Sequence, residues 1–174
     1  MITAYAYQDR KLSITELSIQ DILPDNTLWL DLYKPNDEER NWLRRFSAEE
    51  VPDEEDIKEI EASARFFQNE DGLHINSLFP QRAGSDVRAV NVSFNLREHF
   101  LLTMREEDIG LIRLLRNYMR LGRLETETPE GLLLELFTLK VDYLSDLIED
   151  VYSVLDNLSE QVFSDEDLDA VFKQ

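Results

Sequence analysis

The sequence predicts an α/β domain, one seven-stranded sheet with accompanying helices, followed by long C-terminal helices. Three observations carry this. Seven short stretches alternate apolar and polar residues, the period of a pleated strand. Helical periods interrupt and follow these stretches. Finally, Phe137, Val141, Leu144, Ile148, Val151, Leu155, Leu158 and Val162 recur at alternating spacings of four and three, the seam of a long helix.

In chain order, strands are expected at Ile2–Tyr7, Leu12–Leu17 and Thr27–Leu32. A helix follows at Asp37–Phe46, with Asn36 as its N-cap, acids in its first turn and Arg44 and Arg45 in its last, a charge order that suits the helix dipole. A second, shorter helix is expected at Asp53–Ile60. Strands then resume at Ala64–Gln68, Leu73–Phe79, Val87–Leu96 and Phe100–Met104. Asp71-Gly72 forms a tight turn between the first two of these, because Gly accepts the positive φ such a turn needs. Glu98-His99 joins the last two with weaker turn chemistry. Asp108–Leu121 reads as a helix with Ile109, Ile112, Leu115 and Met119 on one side and a ridge of Arg113, Arg116, Arg120 and Arg123 beside it. Thr128-Pro129 opens the long helix, with Thr as cap and Pro in the first turn, and it runs to about Phe163. Ser164 and Asp167 resemble the start of one more helix. The change from sheet to helix places a boundary near residue 125, dividing the chain into a 1–125 sandwich and a 126–174 helical part.

With 174 residues and 43% apolar content, the chain can bury a sizeable core. Its net charge of −19 opposes nucleic-acid binding, which draws its affinity from Lys and Arg displacing counterions from phosphate. The same charge opposes adsorption to an anionic bilayer and favours cations and basic proteins as partners. The absence of Cys excludes disulfides. No basic region followed by an apolar run opens the sequence, so no secretory signal is expected, and no window of ~18 apolar residues is present to span a bilayer.

Charge concentrates in two places. Between Val141 and Phe172 lie ten acids and no Lys or Arg. With the apolar seam at a and d, Asp142, Asp146, Glu149, Asp150, Asp156 and Glu160 occupy b, c and f, pointing away from it. Like charges four apart cost the helix roughly 0.2–0.5 kcal/mol each, a strain that salt, a basic partner or a divalent cation relieves. The second cluster is Glu49–Glu61, with eight acids against Lys58 in thirteen residues. Asp56 with Glu59, or Glu55 with Glu59, has the helical spacing to offer oxygen ligands to a hard divalent cation; a solvated acidic face is the competing account. Asp165-x-Asp167-x-Asp169 has the opening of an EF-hand loop, but Ala170 stands where Gly is needed. His74 and His99 lack metal-ligand spacing. No Gly-rich phosphate loop is present, and nothing marks two carboxylates as a catalytic pair, so enzymatic chemistry is unsupported.

Three stretches resemble one family: Leu28-Trp29-Leu30-Asp31-Leu32 followed by Pro35 and an acid-rich helix, Ile60–Phe67 running into Asp71–Ile75, and Leu132–Phe137 through Val151-Tyr152. Together they are similar to the cytoplasmic N-terminal domain of the CorA magnesium transporters, in particular the proteobacterial type. The resemblance implies a mixed seven-stranded sheet sandwiched by helices (αβα) and a homopentameric funnel on the cytoplasmic side of the bacterial inner membrane. It implies transport of Mg²⁺, also Co²⁺ and Ni²⁺, through a pore outside this sequence; the family's Gly-Met-Asn selectivity loop does not occur here. It further implies regulatory cation sites between protomers, where Glu59 takes the place of one of two adjacent acids and Lys58 that of the other. A further family ligand falls at Thr138, with Glu135 the nearest acid. The expected regulatory ligands are therefore Glu59, Asp56, Glu55 and Glu135, with divalent cations and further copies of the chain as partners. An acidic protein-interaction module and the soluble domain of a CorA-like zinc transporter are the alternatives.

Overall fold

The computed structural model describes residues 1–43, 66–84 and 86–164. Elements run β1 (Ile2–Gln8), β2 (Lys11–Leu17), β3 (Trp29–Tyr33), α1 (Asp37–Leu43), β4 (Phe66–Asn69), β5 (Gly72–Ala83), β6 (Asp86–Leu96), β7 (Leu101–Arg105), α2 (Gly110–Arg120) and α3 (Pro129–Ser164). The seven strands form one sheet in the order β2-β1-β3-β7-β6-β5-β4. All neighbours are antiparallel except β3 and β7, which pair in parallel with Trp29 opposite Leu101 and Tyr33 opposite Arg105. The expected mixed sheet is thus present. The expected Asp53–Ile60 helix and the Asp165–Asp169 motif lie outside the described residues.

Alternation along the central strands separates the sheet's two faces. One carries Ile2, Ala4, Leu30, Leu32 and Met104, which pack with Trp42 and Leu43 of α1. The other carries Tyr5, Trp29, Asp31 and Thr103, and α2 and the first turns of α3 close over it. There Arg116 donates to the Tyr5 hydroxyl at 3.4 Å, and Phe137 meets Phe79 and Phe94 with ring centroids 6.0 and 5.6 Å apart. Because β3 is covered on both sides, its first four residues are all buried, the pattern of a strand with no solvent face. On α2, Ile112, Leu115 and Met119 are fully buried, as the spacing requires, and so is the preceding Ile109.

Local chemistry fixes the helix ends. The Asn36 side chain accepts from the Glu39 amide at 2.8 Å while the Glu39 carboxylate accepts from the Asn36 amide at 3.0 Å, a reciprocal capping box. Thr128 caps α3 by accepting from the Gly131 amide at 3.2 Å, with Pro129 in the first turn. Several bounds differ from the sequence reading, three of them with a visible cause. β3 starts at Trp29 because Thr27 turns back to Pro24, its amide donating to the carbonyl at 3.0 Å. β5 continues past Phe79 to Ala83 because β6 pairs with it along its whole length. α2 starts at Gly110, leaving Asp108 outside the helix, where its carboxylate engages Arg113.

The chain divides into two compact units, Met1–Thr138 and Leu139–Gln174, so the boundary falls within α3. The first unit contains the sheet, α1, α2 and the opening turns of α3. In the second, the continuing helix has an exposed seam: Val141, Ile148, Val151, Leu155 and Leu158 are each 51–59% accessible. A stripe of this kind is expected to pack on helices of the same chain or of a closed ring; among the described residues it is exposed.

Candidate functional site

Of the four expected cation ligands, Glu55, Asp56 and Glu59 lie outside the described residues. Glu135 lies in the second turn of α3, half-buried, between the buried Leu133 and Leu136. Thr138, three residues on, is exposed, and its hydroxyl donates to the Leu134 carbonyl at 3.0 Å, an ordinary intrahelical bond that uses the hydroxyl hydrogen and neither of the oxygen's lone pairs. Among the described residues, no three His, Cys, Asp or Glu side chains gather closely enough to hold a metal ion. Glu135 can therefore supply one hard oxygen ligand, with water or groups from elsewhere completing the shell. Mg²⁺ commonly keeps several waters and takes one or two carboxylates, so the donor chemistry fits that ion.

The acidic stripe expected along the long helix is on the second unit. Asp142, Asp146, Glu149, Asp150, Asp156 and Glu160 are all exposed on α3. Together with the bare apolar seam they give this helix two distinct faces, one apolar and one negative.

The arginine ridge divides. Arg113 and Arg116 belong to an ion cluster centred on Asp108, at 2.5 and 3.9 Å, which also draws in Arg105 at 3.6 Å. Arg120 and Arg123 at the far end of α2 are exposed. Beneath the cluster lies a buried pair that the sequence analysis missed. Arg105 donates through Nη2 to Asp31 Oδ2 at 2.8 Å and through Nε to Oδ1 at 3.1 Å, and each side chain is only 1% accessible. Thr103 donates to the same Asp31 Oδ1 at 2.7 Å and accepts from the Trp29 indole at 3.0 Å. Arg105 Nη1 reaches the Glu107 carbonyl at 2.6 Å, so the guanidinium ties the sheet to the β7–α2 connection. The signal available in the sequence was an acid inside an otherwise apolar strand.

Neither histidine is placed as a ligand of such a group. His74 stacks on Phe67 with ring centroids 4.4 Å apart and contacts the Asn69 and Asn95 amides. His99 is exposed beside Glu98 at 3.9 Å.

Two buried phenols titrate abnormally. Burial pushes Tyr5 above the ordinary tyrosine value; the Arg116 hydrogen bond opposes the rise and the Asp31 charge adds to it. Tyr7, whose hydroxyl donates to the Leu124 carbonyl at 3.1 Å, is raised chiefly by burial as well. A raised pKa in the fold means that the folded state favours the protonated phenol. This stabilisation is complete below the unfolded value of about 10 and disappears as pH rises through the folded value. The urea midpoint is accordingly expected to fall above about pH 10, and the Tyr5→Phe/Tyr7→Phe double variant to show a shallower decline.

The sheet order and the helices on both of its faces define a mixed α/β sandwich found in several solved structures. Solved structures sharing this fold include the full-length CmaX protein, with TM-score 0.72 and 18% identity, covering 94% of this chain and 52% of that one. The complete CorA magnesium transporter from Methanocaldococcus jannaschii follows at TM-score 0.66 and 17% identity, covering 94% and 51%. The ZntB cytoplasmic domain from Vibrio parahaemolyticus matches at TM-score 0.61 and 14% identity, covering 85% and 62%.

Sequence comparison makes the assignment specific. The family profile described as CorA-like Mg²⁺ transporter protein matches residues 24–173, and the chain belongs to that family. Curated relatives called magnesium transport protein CorA include that of Mannheimia succiniciproducens, 37% identical over 161 residues, covering 91% of this chain and 50% of the relative. The one from Haemophilus influenzae is 34% identical over 165 residues, covering 94% and 52%. The chain thus spans about half the length of the curated relatives it matches. Among the described residues, no helix is long and apolar enough to cross a membrane.

Proposed function

We propose that this chain is the cytoplasmic sensing domain of a magnesium transporter of the bacterial inner membrane, and that it reports internal Mg²⁺ to a pore formed by sequence outside it. The observation that carries this reading is the family membership combined with a net charge of −19. Mg²⁺ is the cargo; Co²⁺ and Ni²⁺ are further cargoes that the reading admits. The curated sequence relatives are magnesium transporters by name, which supports Mg²⁺ as the cargo.

In this reading the domains assemble as a ring, a pentamer in the intact transporter, and the bare α3 seam is covered by helical sequence in the remaining half of the protein. Anionic protomers repel, and divalent cations at their interfaces offset the repulsion and hold the ring closed while Mg²⁺ is plentiful. Glu59, Asp56 and Glu55 of one protomer and Glu135 are the ligands proposed. A cation that binds the closed ring better than the open one shifts the population by its differential affinity and no further. With Mg²⁺ removed, the ring loosens and the gate opens.

The test is limited proteolysis of the intact transporter across a magnesium titration at constant ionic strength. Wild-type protein is expected to gain protection as Mg²⁺ rises, with the Glu59→Ala variant requiring more of it. An unchanged midpoint removes Glu59 from the site, and the absence of protection in the wild type removes the sensing role.

A further inference from the structure

We infer that the corner of the sandwich bearing Arg10, Lys11, Arg120, Leu121 and Arg123 is a docking surface for the anionic stripe of α3 from a second copy of this chain. The inference deepens the ring reading above and rests on it for the presence of a second copy, but neither surface requires a metal.

The corner is built, not incidental. Asp9 and Arg10 form the two-residue turn between β1 and β2, with φ of 50° and 57°. Gly122, at φ 64°, lies against that turn so closely that a Cβ there would stand 3.2 Å from the Arg10 carbonyl. The Arg10 amide donates to Glu127 at 3.1 Å, and the Tyr7 hydroxyl reaches Leu124, so the end of α2 is fastened to the hairpin. Four cations therefore project from a fixed backbone, all exposed, around Leu121, which is itself 54% accessible. Segments 9–11 and 120–127 hold these four cations against Asp9, Glu125 and Glu127, a local excess of positive charge in a chain of net −19. Arg40, Arg88, Arg105, Arg113 and Arg116 all have carboxylate partners. Arg10, Lys11, Arg120 and Arg123 have none among the described residues.

The complementary surface is on the same chain. Glu149, Tyr152, Asp156 and Glu160 follow one another at spacings of three, four and four on α3, so they share a stripe. All are exposed, and Tyr152 is 65% accessible. Arg120 and Arg123 are assigned to Glu149 and Asp156, with Leu121 against the Tyr152 ring. Such a contact joins two different patches on successive copies, a geometry that a ring can repeat around its axis. Opposite charge at the rim also speeds and orients encounter.

Sedimentation velocity of the full chain across a concentration series tests the assignment. The Arg120→Glu/Arg123→Glu variant is expected to self-associate about tenfold more weakly than wild type, and Glu149→Lys/Asp156→Lys likewise. Combining all four reversals in one chain restores association, an outcome that a general loss of charge or fold cannot produce. If the arginine reversals leave the association isotherm unchanged while wild type still assembles, the docking surface is wrong and the ring reading survives. If wild type stays monomeric at every concentration, both fail for this chain. Flotation with phosphatidylglycerol vesicles that the arginine reversals abolish, without any change in association, would assign the corner to lipid and overturn the inference.

Discussion

Replacing Asp31 with Ala is expected to destabilise the protein by about 3–5 kcal/mol, the range for removing one partner of a buried ion pair. The loss comes from what remains. The Arg105 guanidinium, 1% accessible, would keep its charge and lose both of its bonds to Asp31, while Thr103 would lose its acceptor and Trp29 would keep its hydrogen bond to an unanchored hydroxyl. The effect is read as a drop in the urea midpoint with an unchanged slope. Substituting both partners, Asp31→Leu with Arg105→Met, is expected to recover most of the loss, because an apolar pair of similar volume leaves no charge unpaired. A double variant as unstable as the single one would show that the Arg105 bond to the Glu107 carbonyl, and not the ion pair, holds the β7–α2 connection.

Gly72→Ala is expected to cost roughly 2–4 kcal/mol. Gly72 has φ 120°, a conformation that side-chain-bearing residues rarely take, and an added Cβ would stand 2.2 Å from the Leu96 carbonyl oxygen on the neighbouring strand. Backbone cannot yield there as a flexible side chain would, so the β4–β5 hairpin must shift against β6. Thermal unfolding measures the size, and amide exchange in β5 locates it. Gly84→Ala is the internal comparison: at φ 66° it has nothing within 4 Å of the Cβ position, so it carries the conformational cost without the collision and is expected to lose less.

What could be read from the sequence followed from local rules. The Asn36 and Thr128 caps and the buried stripe of α2 each depend on residues within a few positions of one another, and each is found in the structure. The β4–β5 turn falls one residue earlier than the expected Asp71-Gly72: Glu70 and Asp71 form it, and Gly72, at positive φ, already pairs with Asn69. The β1–β2 turn was not legible, because Asp9-Arg10 carries no Gly yet takes positive φ at both positions. The parallel pairing of β3 with β7 was not legible either: period-two alternation places a residue on a face but says nothing about its neighbour across the sheet. Asp31 and Arg105 meet only through that pairing, so their bond is a product of topology. Glu135 was named through the family resemblance as the acid nearest Thr138, and its half-burial depends on the sheet beneath. The apolar seam of α3 is exposed among the described residues, since an apolar repeat specifies that something must be covered without supplying the cover.

The β3–β7 pairing also orders events during synthesis. Trp29 and Leu101 are register partners across 72 intervening steps of chain, and β1 joins the rest of the sheet only through β3. A nascent chain can close the β1–β2 hairpin early, but β3 has an open edge until β7 leaves the ribosome, and long-range pairings of this kind are slow to form. Until β7 is made, the β1–β3 segment is thus an unprotected sheet fragment, which makes chaperone demand during biogenesis a property of the fold's connectivity.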